Sequence, residues 1–122
     1  MTKEEFYTKW LEAFASGVSE KDIQKYVVSY GNYIWHIFGW DLIDSDRYLV
    51  GEEAKKAYNS IDKEGAIFTA WDEDDNFQEV TWEFDNADAL DKLSEAYVVG
   101  KDFCWTYIKT HEKQCGPYFF RR

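Results

Sequence analysis

Residues 103–121 read Phe-Cys-Trp-Thr-Tyr-Ile-Lys-Thr-His-Glu-Lys-Gln-Cys-Gly-Pro-Tyr-Phe-Phe-Arg. Phe103, Trp105 and Tyr107 alternate with Cys104, Thr106 and Ile108, the two-residue period of a strand. The polar bend from Lys109 to Gln114 leads to Gly116-Pro117, and Tyr118 to Arg121 returns as a closing strand. A strand that turns straight back on its predecessor pairs with it antiparallel, so this stretch sets the character of the sheet.

The preceding segments extend the pattern. Gly65 to Trp71 is apolar and β-prone, and Asp72-Glu-Asp-Asp-Asn76 reads as a polar turn. In Phe77 to Phe84, Val80, Trp82 and Phe84 fall on one face and Glu79, Thr81 and Glu83 on the other, a hairpin with one wet side. Asp85-Asn86 can cap a helix with Leu90, Leu93 and Tyr97 inward and Asp88, Asp91 and Glu95 outward. Gly51 to Ile61 carries Ala54, Ala57, Tyr58 and Ile61 at helical spacing. Tyr33 to Trp40, aromatic and β-branched throughout, is predicted to be a strand buried on both sides, and Asp41 to Val50 an irregular connection. At the N-terminus, Thr2-x-x-Glu5 is a capping box before Phe6, Trp10, Ala13 and Phe14. Ser19-x-x-Asp22 opens a second helix that runs to Gly31. The expected architecture is a single α+β domain over residues 1–122. Its order is α-α-β-α-β-β-α-β-β, with a largely antiparallel sheet and helices packed on one face.

Composition narrows the function. Aromatic residues make up 20% of the 122 positions, enough bulk to anchor a core and to argue against disorder. The net charge is −10, and its excess is local: 13 acidic residues face only Lys63, Lys92 and Lys101 between Asp62 and Asp102. Such a chain lacks the basic footprint that nucleic-acid binding needs and is repelled by anionic membranes. No signal-peptide pattern and no long apolar run is present, so the expected compartment is the cytosol. Cys104 and Cys115 are there expected as reduced thiols, with pairing across the hairpin left open.

No motif assigns a cofactor or a metal. Asp72, Asp74 and Asn76 match positions 1, 3 and 5 of a calcium loop, with Glu83 at position 12. Phe77, however, stands where that loop needs glycine, and on a strand Glu83 would lie roughly 20 Å from the turn at ~3.3 Å per residue. The two histidines, His36 and His111, show no ligand spacing with the cysteines. His36, between Trp35 and Ile37, reads as a hydrogen-bonded core or interface residue, and His111 as a solvated residue of a bend. A thiol nucleophile built from either cysteine has nothing nearby to favour its thiolate.

Trp35-His-Ile-Phe-Gly-Trp40, Gly51-Glu-Glu-Ala54, Asp102 to Glu112 with its Trp-Thr-Tyr and Thr-His-Glu elements, and Cys115-Gly-Pro-Tyr-Phe-Phe120 stand in one pattern. Over residues 33–120 it resembles a small family of unknown function found mainly in Gram-positive bacteria. The resemblance implies a bacterial cytosolic origin and carries no catalytic residue with it. Thr110-His-Glu112 and Gly116-Pro-Tyr118 are then either a shared site or a shared turn. A looser likeness, in size and acidity alone, is to immunity proteins that neutralise basic nuclease toxins.

Two functional expectations follow. The first is a binding module that presents Asp72, Glu73, Asp74, Asp75, Glu79 and Glu83, with Asp88, Asp91 and Glu95 of the next helix, to a basic protein such as a nuclease toxin. The second is a small enzyme or ligand-binding domain with His111, Glu112 and Cys115 as its polar groups. A structural domain whose aromatics bury an oligomer interface is a further alternative.

Overall fold

A computed structural model describes residues 1–70 and 77–122. The helices are α1 (Lys3–Phe14), α2 (Glu20–Tyr26), α3 (His36–Gly39), α4 (Glu52–Ser60) and α5 (Ala87–Leu90). The strands are β1 (Leu49–Val50), β2 (Ile67–Ala70), β3 (Gln78–Glu79), β4 (Ala96–Val99), β5 (Trp105–Lys109) and β6 (Tyr118–Arg121). They form one sheet in the order β1-β6-β5-β4-β2-β3, with every neighbouring pair antiparallel. The α+β class and antiparallel sheet are as expected, and β5 and β6 are the hairpin read from residues 103–121. Among the described residues no helix is long and apolar enough to cross a membrane.

The helices pack on both faces of the sheet rather than on one. Phe6, Trp10 and Phe14 of α1, with Trp35, Ile37 and Phe38 around α3, cover Tyr97, Val99, Ile108, Tyr118 and Phe120. On the other side, Ala54 and Tyr58 of α4 and Ala87 and Leu90 of α5 cover Ala96, Val98, Trp105, Tyr107 and Phe119. The alternation of β4, β5 and β6 divides their side chains between two layers, so a strand such as β4 has no wet side and is apolar throughout. One buried polar pair in this core is satisfied: Trp10 Nε1 donates to Thr106 Oγ1 at 3.0 Å, and that hydroxyl donates to the Val98 carbonyl at 2.9 Å.

Four expected elements differ. The strand predicted over Tyr33 to Trp40 is the short helix α3. Ile34, Trp35, Ile37 and Phe38 are all buried, and their spacing of i, i+1, i+3 and i+4 is that of one helical face. Within the stretch read as an irregular connection lies the edge strand β1. The helix predicted from Asp85 through Tyr97 ends at Leu90, and Tyr97 belongs to the central strand β4, where β-branched neighbours pack on two covered faces. The strand predicted over Phe77 to Phe84 keeps only Gln78–Glu79; residues 82–84 form a 3₁₀ turn, which carries Trp82 out of the core to 84% exposure. The observed order is therefore α-α-α-β-α-β-β-α-β-β-β. Cys104 and Cys115 are both free thiols.

Gly100, between β4 and β5, is required by a close approach. A Cβ there would stand 2.2 Å from Trp105 Nε1, and Trp105 is itself buried. Gly100→Ala should therefore lower unfolding stability by about 1–3 kcal/mol, as overpacking does, which urea denaturation can measure. Burial raises the pKa of Tyr7, Tyr58, Tyr97 and Tyr107, and of Tyr118 to about 12. The fold keeps these protons where the unfolded chain releases them, so stability is intact below pH of about 10 and is lost as pH rises through about 12. Tyrosinate absorbance in an alkaline titration should rise together with loss of the folded signal.

Candidate functional site

The register that pairs Ala96 with Lys109 brings Glu95, just before β4, alongside Thr110 and His111, just after β5. Glu95 is 1% exposed. Its Oε1 accepts from Trp35 Nε1 at 3.0 Å, from His111 Nδ1 at 2.7 Å and from the His111 backbone N–H at 3.2 Å. Its Oε2 accepts from the Tyr97 hydroxyl at 2.5 Å. Burying a carboxylate is costly unless donors replace its water, and this one has four. The pKa of Tyr97 lies well above its ordinary value, through burial and then through the charge of Glu95. Tyr7 is raised by the same two causes in the same order.

His111 is held with one nitrogen on Glu95, while its Nε2 lies 3.4 Å from Glu112 Oε1. Tyr33 and Trp35 pack beside its ring, at 5.1 and 6.0 Å between centroids. The Thr110 hydroxyl closes the following loop on the carbonyls of Glu112, at 2.9 Å, and Cys115. His111, Glu112 and Cys115 thus line one cleft of about 360 Å³, with Lys55, Asp91 and Lys109 around it. On the other side of the loop, Glu112 and Cys115 also border a cleft of about 400 Å³ with Trp35, His36 and Trp40. His36 donates from Nδ1 to the Tyr26 carbonyl at 2.9 Å, the hydrogen-bonded role expected of it.

The acidic residues divide. Asp72, Glu73, Asp74 and Asp75, and with them the calcium-loop match, lie outside the described residues. Glu79, Glu83 and Asp88 are exposed. Asp91 is paired with Lys55 Nζ at 3.0 Å. Glu95, expected on the outer side of a helix, is instead the buried centre of the network above, because its segment is a strand approach and not a helix. Glu52 and Glu53, at the start of α4, are exposed too, but each lies beside a lysine, Glu52 3.9 Å from Lys55 Nζ and Glu53 3.8 Å from Lys56 Nζ. Among the described residues no group of three or more His, Cys, Asp or Glu side chains could hold a metal ion.

Trp82, with Glu83 beside it in sequence, lies on a turn that α4 pins. Tyr58 donates to the Phe84 carbonyl at 2.6 Å, and Asn59 Oδ1 accepts from the Ala87 N–H at 2.8 Å. Trp35 and Tyr97, the partners of Glu95, are not marked as such by any local spacing in the sequence. The one available signal was an acid placed directly before the apolar run Ala96–Val99. Glu95→Gln keeps the volume but turns an amide N–H₂ toward donors, and should cost about 2–4 kcal/mol in urea unfolding.

Residues 3–119 match the family model described as a domain of unknown function, DUF4275. No curated protein and no solved structure matches the chain. With the match running over nearly the whole sequence, the chain belongs to the DUF4275 family.

Proposed function

We propose that this domain is a cytosolic binding module of immunity or inhibitor type, which covers a basic surface of a partner protein with carboxylates. The observation that carries the reading is Trp82, 84% exposed on a turn next to Glu83, with Asp85 and Asp88 exposed just beyond. An indole in water serves no core, and an aromatic anchor within a charged rim is the usual make-up of an interface hot spot. The rim supplies the steering: exposed carboxylates speed encounter with a cationic surface and lose that effect in salt. A nuclease, whose phosphate-binding surface is basic, is the class of partner such a face would block.

A second reading has its own support. His111, Glu112 and Cys115 share one cleft, and the buried Glu95 fixes the orientation of the His111 ring. A carboxylate-oriented imidazole at a cleft is the arrangement of a general base or of a polar ligand anchor.

Affinity capture from the native host at about 50 and 500 mM salt tests the first reading. A basic protein should be retained at low salt and released at high salt. Trp82→Ala should weaken its binding by about thirtyfold, the cost of a hot-spot truncation, with the fold unchanged by circular dichroism. Retention of no basic protein at low salt, or equal retention by Trp82→Ala, overturns it.

A further inference from the structure

The cleft beside the loop of residues 111–116 differs in its lining from the cleft formed by Lys55, Asp91, Lys109 and Lys113. It is lined by Trp35, His36, Gly39, Trp40, Glu112, Gln114 and Cys115, and among the described residues no lysine or arginine lines it. Its volume is about 400 Å³, room for a side-chain head group.

Both indoles are held in place. Trp35 is buried, and its N–H is fixed on Glu95 at 3.0 Å. Its ring meets His36 edge-on with 4.4 Å between centroids. Trp40 is 47% exposed, yet it rests on Tyr26 and Tyr30 at 5.4 and 5.7 Å between centroids. A large exposed aromatic braced by two others is pre-organised, so little conformational freedom is lost when something stacks on it. The same aromatic group already accepts a cation elsewhere: Lys25 Nζ lies 5.1 Å from the Tyr26 ring centre, on a ring that does not line the cleft.

The electrostatics select the ligand. The formal charge on the lining is the Glu112 carboxylate, whose side chain is 47% exposed, and Glu95 lies directly behind Trp35. Electron-rich ring faces together with a carboxylate attract a cation and disfavour an anion. A guanidinium fits better than a compact ammonium, because its plane stacks on an indole while its N–H groups reach a carboxylate.

We infer that the Trp35–Trp40–Glu112 cleft is a receptor for the guanidinium of an arginine side chain. The inference deepens the reading of this domain as the binder of a basic protein, on which the arginine belongs to that partner. It adds a second point of attachment, distinct from Trp82, which is not among the residues lining this cleft.

Titration of the ¹⁵N-labelled domain with N-acetyl-arginine amide, followed through the tryptophan indole N–H signals, tests it. The Trp40 and Trp35 signals should move in a saturable way and the Trp82 signal should not. The citrulline analogue, equal in shape but uncharged, should produce no saturable shift, and the lysine analogue should bind more weakly than arginine. Glu112→Gln should weaken binding by about two- to fivefold, as loss of a half-exposed pair does, and Trp40→Ala by a similar factor. Both side chains are about half exposed, so the fold should persist, with spectral changes confined to immediate neighbours: His111 for Glu112→Gln, Tyr26 and Tyr30 for Trp40→Ala. Equal shifts from arginine and citrulline, shifts confined to Trp82, or no shift at all overturn the inference. Capture of a basic partner that depends on Trp82 but survives Trp40→Ala would remove the cleft while leaving the acidic face standing. A saturable Trp40 response without any basic partner in the host would do the reverse.

Discussion

A carboxylate shut away from water must be surrounded by donors, and Glu95 draws its donors from three separate parts of the chain. Trp35 enters from just before α3, Tyr97 from β4, and His111 from beyond β5. None of these segments can shift without leaving part of a buried charge unanswered, a penalty larger than most packing defects. The interaction therefore fixes how α3 sits on the sheet and where the 111–116 loop leaves it. Both clefts beside that loop inherit their shape from it.

Around this point the molecule is built as two aromatic layers. Trp10, Phe14, Phe38 and Phe120 interlock on one side of the sheet, with Phe38 stacked on Tyr118 at 5.0 Å between centroids. Tyr58, Trp105, Tyr107 and Phe119 do so on the other. Rings carry much buried area for few torsions, which is how a chain of this length covers both faces of a sheet. The same rigid layers hold the surface features: α4 anchors the turn bearing Trp82 through Tyr58, and α2 supplies Tyr26 beneath Trp40.

The sequence was readable where its period was unambiguous. The α1 stripe, its capping box, α4, and the β5–β6 hairpin all stand where spacing and caps placed them. Reading failed where an apolar run is buried all round. Tyr33 to Trp40 and Ala96 to Val99 show no polar face, and without one the helical and extended readings look alike. That single ambiguity turned α3 into a strand and β4 into the end of a helix. It also hid the site: with Glu95 placed on a helix it looked like one more solvated acid. His111, Glu112 and Cys115 were legible as a polar group because their neighbours in sequence are also neighbours in the loop. Their link to Glu95 depends on strand register, which local spacing does not encode.

The two outer rungs of the sheet, β1 and β3, are each two residues long. At one side Gly51, at φ +68°, swings the backbone directly from β1 into α4, a conformation that side-chain-bearing residues adopt only with strain. An edge that brief offers a neighbouring chain almost no ladder to extend. Among the described residues, β1 and β3 thus present little outer ladder of their own, despite an interior dense with rings. Along those two rungs a neighbour meets side chains before it meets backbone.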